Sequence, residues 1–305
     1  MTDVPLGVTV AVLLAAGLDW TLREPPAEYH PVTLFGRLVD SVDAEYDDPK
    51  RAGVAVAAIL PIAAAVAVYA ALWLTTPLPG IVTAVLAGLV LWSTSSLRLL
   101  IDAAEQAIEE SETDPEAARE VLPALVGRDT ADLPPELLRS AAVESAAENF
   151  SDGFLAPILA FALFALVSLP AAAAAATYVK CVNTLDSMLG YPGPFGWASA
   201  RLDDFVMFVP ARLSSVVLGL AAGDPDAPGR ARRYASVPDS PNAGWPMGSV
   251  AAAHNLRLEK PETYVLNEVA DFPTVAEGHN AIRTVTRAGI ATYVIVALLG
   301  VILWL

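Results

Sequence analysis

Apolar residues in this chain come in long runs rather than in alternation. Gly53–Leu74 and Gly80–Leu97 contain no charged residue, and each has close to the roughly 20 residues that a helix needs to cross a hydrocarbon core about 30 Å thick. The five residues between them, Thr75–Pro79, allow only a tight turn, so the pair reads as an antiparallel helical hairpin. Val4–Leu18 is a shorter run that spans only with difficulty. Further apolar stretches occupy 154–179, 205–222 and 288–305, the last ending near Trp304, where an interfacial aromatic is at home.

Several of these runs are interrupted. The pair Pro25-Pro26 breaks any helix continuing from the first run. Ser168-Leu169-Pro170 divides 154–179, which is either one span or two short helices. A broken or re-entrant pair is preferred, because it returns Lys180–Asp186 to the side that carries Glu144–Asp152. Pro210 and Arg212 fall inside 205–222 and point to a discontinuous helix facing water or protein. Inserts 98–140 and 223–287 are polar, and the first has helical periodicity over Asp102–Glu110 and Asp114–Leu122, with Thr113 or Asp114 as cap and Pro115 in the first turn. The expected fold is all-α: a polytopic integral membrane protein, one membrane-embedded domain over 1–305, with short, broken or re-entrant helices and helical soluble loops.

Composition supports the membrane reading. The chain is 55% hydrophobic with a mean hydropathy of +0.50, yet its formal charge is -16. Soluble domains usually hold 45–50% apolar residues, so the loops carry nearly all the charge. The negative field argues against a nucleic-acid partner. Only Lys50, Lys180 and Lys260 are lysines, and dense carboxylates with Arg preferred suit a high-salt cytoplasm such as a haloarchaeal one; an acidic loop composition accounts for the same numbers. Arg and Lys are commonest after Leu97 and Ala222, which marks those segments as cytoplasmic. The first run lacks a basic flank and a small-residue cleavage pattern, so it is expected to stay as a helix. Cys181 is the single cysteine; it is either packing or a thiol activated by Lys180.

Candidate chemistry gathers where charge meets these runs. A charge held at bilayer depth costs several kcal/mol unless paired or hydrated. Lys180, Asn183, Asp186, Arg201, Asp203, Asp204 and Arg212 therefore read as the lining of a polar cavity at the membrane edge. Glu144 and Glu148 lie four apart on a helix, and Asp152 extends that face if the helix persists, making a cation or amine site. His30 is a phosphate or carboxylate contact, a proton carrier, or ordinary surface. Ser240–Gly244 is turn chemistry before a helix from Pro246, suited to phosphate or simply a cap. There is no GxSxG elbow and no GxxxxGK[ST] loop. Acids able to hold Mg²⁺, Asp203 and Asp204 among them, beside Arg able to hold phosphate suit transfer or condensation on phosphorylated substrates.

Four longer motifs sharpen this. ESAAENFSDGFLAP at Glu144–Pro157, KCVNTLDSMLGY at Lys180–Tyr191, GWASARLDDFVMFVPARL at Gly196–Leu213 and SPNAGWPMGSVAAA at Ser240–Ala253 resemble the CobD/CbiB family, with Asp19 and His30-Pro31-Val32 extending the likeness. The resemblance implies a multi-pass cell-membrane adenosylcobinamide-phosphate synthase of cobalamin biosynthesis. Such an enzyme joins adenosylcobyric acid to (R)-1-aminopropan-2-yl phosphate or a related amino-alcohol phosphate, consuming ATP with Mg²⁺. Other enzymes of that pathway are implied as partners, besides membrane lipid.

Carried onto this chain, the resemblance gives Glu148, Asn149 and Asp152 the amine or a metal, and gives Asp186, Asp203 and Asp204 the Mg²⁺ and polyphosphate. Lys180, Arg201 and Arg212 would neutralise phosphate charge, and Asn183, Ser240 and Asn242 would hydrogen-bond substrate. Glu144 and His30 join the substrate contacts. Two departures stand out: Arg23-Glu24-Pro25 replaces a Gly-Asp-Pro common in relatives, and His254–Lys260 replaces a Gly-rich tract. A carrier or transporter of an anionic corrinoid or phosphorylated solute is the alternative, and a structural anchor leaves the clustered acids unexplained.

Overall fold

The helix Leu169–Leu189 has an unusually divided sequence: six consecutive alanines, Ala171–Ala176, then a half that holds Lys180, Asn183 and Asp186. Ser168 starts it by accepting the Ala171 amide at 3.2 Å, with Pro170 in the first turn, where a missing N–H costs nothing. In the computed structural model, which describes residues 4–122 and 132–302, the helices preceding it in chain order are α1 (Val4–Leu22), α2 (Pro31–Asp40), α3 (Pro49–Trp73), α4 (Gly80–Thr94), α5 (Arg98–Thr113), α6 (Pro115–Val121), α7 (Pro135–Asn149) and α8 (Ala156–Ala165). Leu169–Leu189 is α9, followed by α10 (Trp197–Val206), α11 (Phe208–Ala221), α12 (Ala227–Ala231), α13 (Gly244–His254) and α14 (Val275–Ile302). A π-helical turn, Phe150–Leu155, joins α7 to α8. The only β-structure among the described residues is an antiparallel hairpin of β1 (Leu258–Lys260) and β2 (Tyr264–Leu266). Trp304 and the part of the first insert at 123–131 lie outside the described residues.

The chain forms two compact units: residues 1–96, 153–206 and 291–305, and residues 97–152 and 207–290. In the first, α9 is the centre, packing against α2, α3, α4, α8 and α10. Its alanine methyls let neighbouring backbones approach closely, as small residues do between membrane helices. Its other half contributes Cys181, Leu185 and Leu189 to a buried cluster with Phe35, Val39, Ala57 and Phe195. The run at 154–179 is thus two helices, with α8 ending at Ala165 before the Ser168 cap. Asp19, on α1, is fully buried beside Tyr293.

Pro49–Trp73, Gly80–Thr113 and Val275–Ile302 are long and apolar enough to cross a membrane, and α10 with α11 makes a fourth candidate if the break at Met207 lies within one span. Only 11% of the most apolar window of α3 is buried, and Ile59, Ile62, Val66 and Trp73 are exposed along it. An apolar face of that extent is what lipid solvates.

In the second unit α7 is the core, every residue from Leu138 to Ala147 being buried. It packs on α5, α6, α13 and β1, while α11 and α12 flank α13. Arg139 is buried there without stranding its charge: it donates to Pro273 O at 2.6 Å, Ser111 Oγ at 3.1 Å and Glu112 Oε1 at 3.1 Å. Helix α13 ends where Asn255 takes a left-handed conformation, φ 52°, which Asn tolerates better than most residues.

A contact in the first unit gives a direct test. A Cβ on Gly53 of α3 would sit 2.0 Å from the carbonyl oxygen of Phe195, whereas one on Gly17 of α1 would meet nothing within 4 Å. Gly53→Ala is expected to cost about 1–3 kcal/mol by overpacking, and Gly17→Ala to add roughly 0.5–1 kcal/mol through helix propensity. Unfolding followed in detergent checks both signs.

Candidate functional site

Two polar clusters of the first unit share α9. Lys180 and Asp186 are six residues apart, about 9 Å of helical rise. At the Lys180 end, the loop before α2 brings Glu24 and His30 to the lysine, and together with Thr33 they line a pocket of about 190 Å³. His30 caps α2, its Nδ1 accepting the Val32 amide at 3.1 Å. Burial, outweighing the attraction of Glu24 and aided by the charge of Lys180, holds its imidazole below the usual histidine range. An apolar pocket of about 170 Å³ adjoins it, sharing Val32 and Lys180 and lined also by Phe35, Val68, Val90 and Cys181. Burial pushes the Cys181 thiol up to about 12 despite Lys180, so of the two readings of this cysteine, packing is the one the structure supports.

At the Asp186 end, Asp204 on α10 pairs with Arg201 at 3.0 Å. The Asp186 carboxyl is raised above the usual carboxylate range, first by burial and then by the charge of Asp204. It lies over Gly190, where an added Cβ would be 2.0 Å from Oδ1. Asn183 is half-buried on α9 between Lys180 and Asp186. Successive helical positions diverge by about 100°: Asp203 is buried while Asp204 turns to Arg201.

In the second unit, three predicted residues meet. Arg212 donates to Asn242 Oδ1 at 2.8 Å and to Phe208 O at 2.7 Å, and stacks over the Phe208 ring at 3.6 Å. Ser240 Oγ accepts the Asn242 amide at 3.2 Å. Glu144 lies elsewhere in that unit. It is 3% exposed and accepts from Ser140 Oγ at 2.8 Å and Tyr264 Oη at 2.7 Å, while Ser140 Oγ accepts the Glu259 amide at 2.7 Å. This ties α7 to the hairpin. Glu148 and Asn149 are half-buried at the end of α7, where Asn149 donates to Ser145 O at 3.0 Å. Asp152 falls in the π-helical turn, which shifts it off the strict four-residue spacing.

Glu24 and Tyr264 are the residues that sequence reasoning passed over. Glu24 has a signal, an acid just before a proline pair and His30. Tyr264 has none, since its role depends on a hydrogen bond to Glu144, 120 positions away.

Among the described residues no three His, Cys, Asp or Glu side chains converge as a metal cage. Asp186 and Asp204 fit the lesser demand of Mg²⁺, which takes one or two carboxylates together with substrate phosphates.

With this geometry in hand, comparison with known proteins decides the lineage. The family model described as CobD/CbiB protein matches residues 12–294. The chain belongs to the CobD/CbiB family. It is 33% identical to the "Probable cobalamin biosynthesis protein CobD" of Methanothrix thermoacetophila, over 98% of each chain. It is 34% identical to the cobalamin biosynthesis protein CobD of Rhodobacter capsulatus, over 96% of this chain and 97% of that one, and 37% identical to that of Mycobacterium tuberculosis, over 89% and 86%. No solved structure matches the chain.

Two substitutions separate structural from functional carboxylates. With its folded pKa raised, Asp186 is penalised when ionised, so it destabilises the folded state above that pKa and ceases to do so as pH falls into the carboxylate range. Asp186→Asn is therefore expected to raise the midpoint of thermal unfolding at pH 7, by an increment that shrinks on acidification. Tyr264→Phe takes one donor from a buried carboxylate and is expected to cost about 1–3 kcal/mol, read by the same melts.

Proposed function

We propose that the protein is an adenosylcobinamide-phosphate synthase, a multi-pass cell-membrane enzyme forming an amide bond between adenosylcobyric acid and (R)-1-aminopropan-2-yl phosphate or a related amino-alcohol phosphate. The observation that carries the reading is the division of labour along α9: a Lys180–His30–Glu24 pocket at one point and an Asp186–Asp204–Arg201 cluster about 9 Å further on. Names of the relatives, all cobalamin biosynthesis proteins, support the same pathway.

A carboxylate does not condense with an amine unaided. In the proposed reaction the corrinoid carboxylate oxygen attacks the terminal phosphorus of ATP, giving an acyl phosphate and ADP. The amine nitrogen then attacks the acyl carbon and loses a proton, and inorganic phosphate leaves. Mg²⁺, when bound, would neutralise polyphosphate charge at Asp186 and Asp204. Arg201, tethered by Asp204, would supply a guanidinium suited to phosphate oxygens, stabilising charge that grows as phosphate departs. In the second unit, Arg212 held by Asn242 is proposed as a contact for an anionic substrate group.

Purified protein given corrinoid acid, amino-alcohol phosphate and Mg-ATP is expected to raise the corrinoid mass by one condensation, read by mass spectrometry. Asp204→Ala should cut the rate by about 10²-fold or more with an unchanged melt. Corrinoid retained without product would favour a carrier instead.

A further inference from the structure

Lys180 stands well inside the membrane rather than at its edge, and α3 is the ruler that shows it. The charged start of α3, Lys50 and Arg51, and its aromatic end, Trp73, bracket a run without charge. Helix α9 lies antiparallel along this run: Gly53 abuts Phe195 just past the end of α9, Ala57 packs with Leu185 and Leu189, and Ala64 and Val68 share a pocket with Lys180. Ala64 is thirteen residues from Arg51, about 20 Å of helical rise, and nine from Trp73, about 14 Å. Half of a hydrocarbon core about 30 Å thick is about 15 Å, so Lys180 lies near the midplane.

The irregular segment 23–29 lies at the same level. Its Glu24, Pro25 and Ala27 line a pocket with Lys180. Arg23 O accepts from Trp92 Nε1 at 2.6 Å, and Trp92 is twelve residues, about 18 Å, beyond the start of α4 at Gly80. Arg23, Glu28 and Tyr29 are exposed. At membrane depth, irregular backbone and charge are tolerated only where protein buries them or where they line a water-filled cavity. An exposed segment leaves the cavity.

The face of α9 that carries Lys180 says which way the cavity opens. Toward Leu189 it continues with Asn183, half-buried, and Ser187, exposed. Toward Leu169 it continues with Thr177, Ala176 and Ala173, all buried. The way is polar toward the start of α3 and sealed toward Trp73.

We propose that the first unit holds a water-filled vestibule, entered from the Lys50 side alone, whose floor is Lys180 near the middle of the membrane. Charged, water-borne solutes reach Lys180 from that one face. The proposal rests on α3 crossing the membrane and not on the amidation reading.

The test is cysteine accessibility of the full-length protein in sealed proteoliposomes, in a Cys181→Ala background. Single cysteines go to the floor (Lys180→Cys and Thr33→Cys), the rim (Lys50→Cys), the opposite turn (Thr76→Cys) and the lipid face at floor depth (Ile62→Cys). A charged methanethiosulfonate that does not cross lipid is added from each side in turn. Floor cysteines are expected to react from the Lys50 side only, at least about tenfold faster than Ile62→Cys. Two floor positions keep the test alive if one variant does not fold, and peptide mapping with Cys181 retained serves if Cys181→Ala does not. Floor rates no greater than that of Ile62→Cys, or reaction from the Thr76 side, would overturn the vestibule. A bimane on Ile62→Cys should be quenched more by a nitroxide deep in the acyl chains than by one at the headgroup. The opposite order would lift α3 out of the bilayer and overturn the depth. One-sided labelling of a protein that makes no corrinoid product leaves the vestibule standing and removes the amidation reading; product from a protein with an unreactive floor does the reverse.

Discussion

A charge withdrawn from water must find a partner, and in a chain that is 55% hydrophobic with a formal charge of -16 this constraint decides most of the structure. Arg139 meets it with a carbonyl, a hydroxyl and a carboxylate. Glu144 meets it with two hydroxyls. These groups are buried, saturated and inward-looking. Asp186 and His30 answer differently: one is a half-buried carboxylate beside a second carboxylate, the other a capped imidazole whose second nitrogen has no acceptor among the described residues. The contrast between groups buried with full sets of partners and these two sets the α9 clusters apart within the first unit.

Much of the architecture was legible because membrane helices announce themselves by length. Gly53–Leu74 and Gly80–Leu97 fall in stretches long and apolar enough to cross a membrane, and the Ser168-Leu169-Pro170 punctuation marks a true helix start because its hydroxyl caps and its proline suits the first turn. What stayed hidden depends on contacts far apart in sequence. The tract after His254 holds a β-hairpin, which three-residue strands carry too little pattern to announce. Tyr264 reaches Glu144 across 120 positions.

The candidate site was legible in part for the same reason. Arg212, Ser240 and Asn242 were named from separate motifs and do converge. Arg201 and Asp204 pair as neighbours one helical turn apart. Glu24 was passed over because a lone acid in an irregular loop carries no periodicity, although it lines the pocket with His30 and Lys180. Asp203 and Asp204, adjacent in sequence, read as a unit, yet a helix sends adjacent side chains in different directions.

The alanine half of α9 has a mechanical corollary. A methyl group has no rotamers to freeze, so this contact forms at almost no side-chain entropy cost; equally, a smooth stripe of methyls offers little to stop one helix from sliding along another. What fixes the axial position of α9 is therefore its knobbly second half, from Cys181 through Leu185 to Leu189, packed with Phe35 and Phe195. The residues that lock the helix in place alternate with Lys180, Asn183 and Asp186, so alignment and chemistry are set by the same few turns.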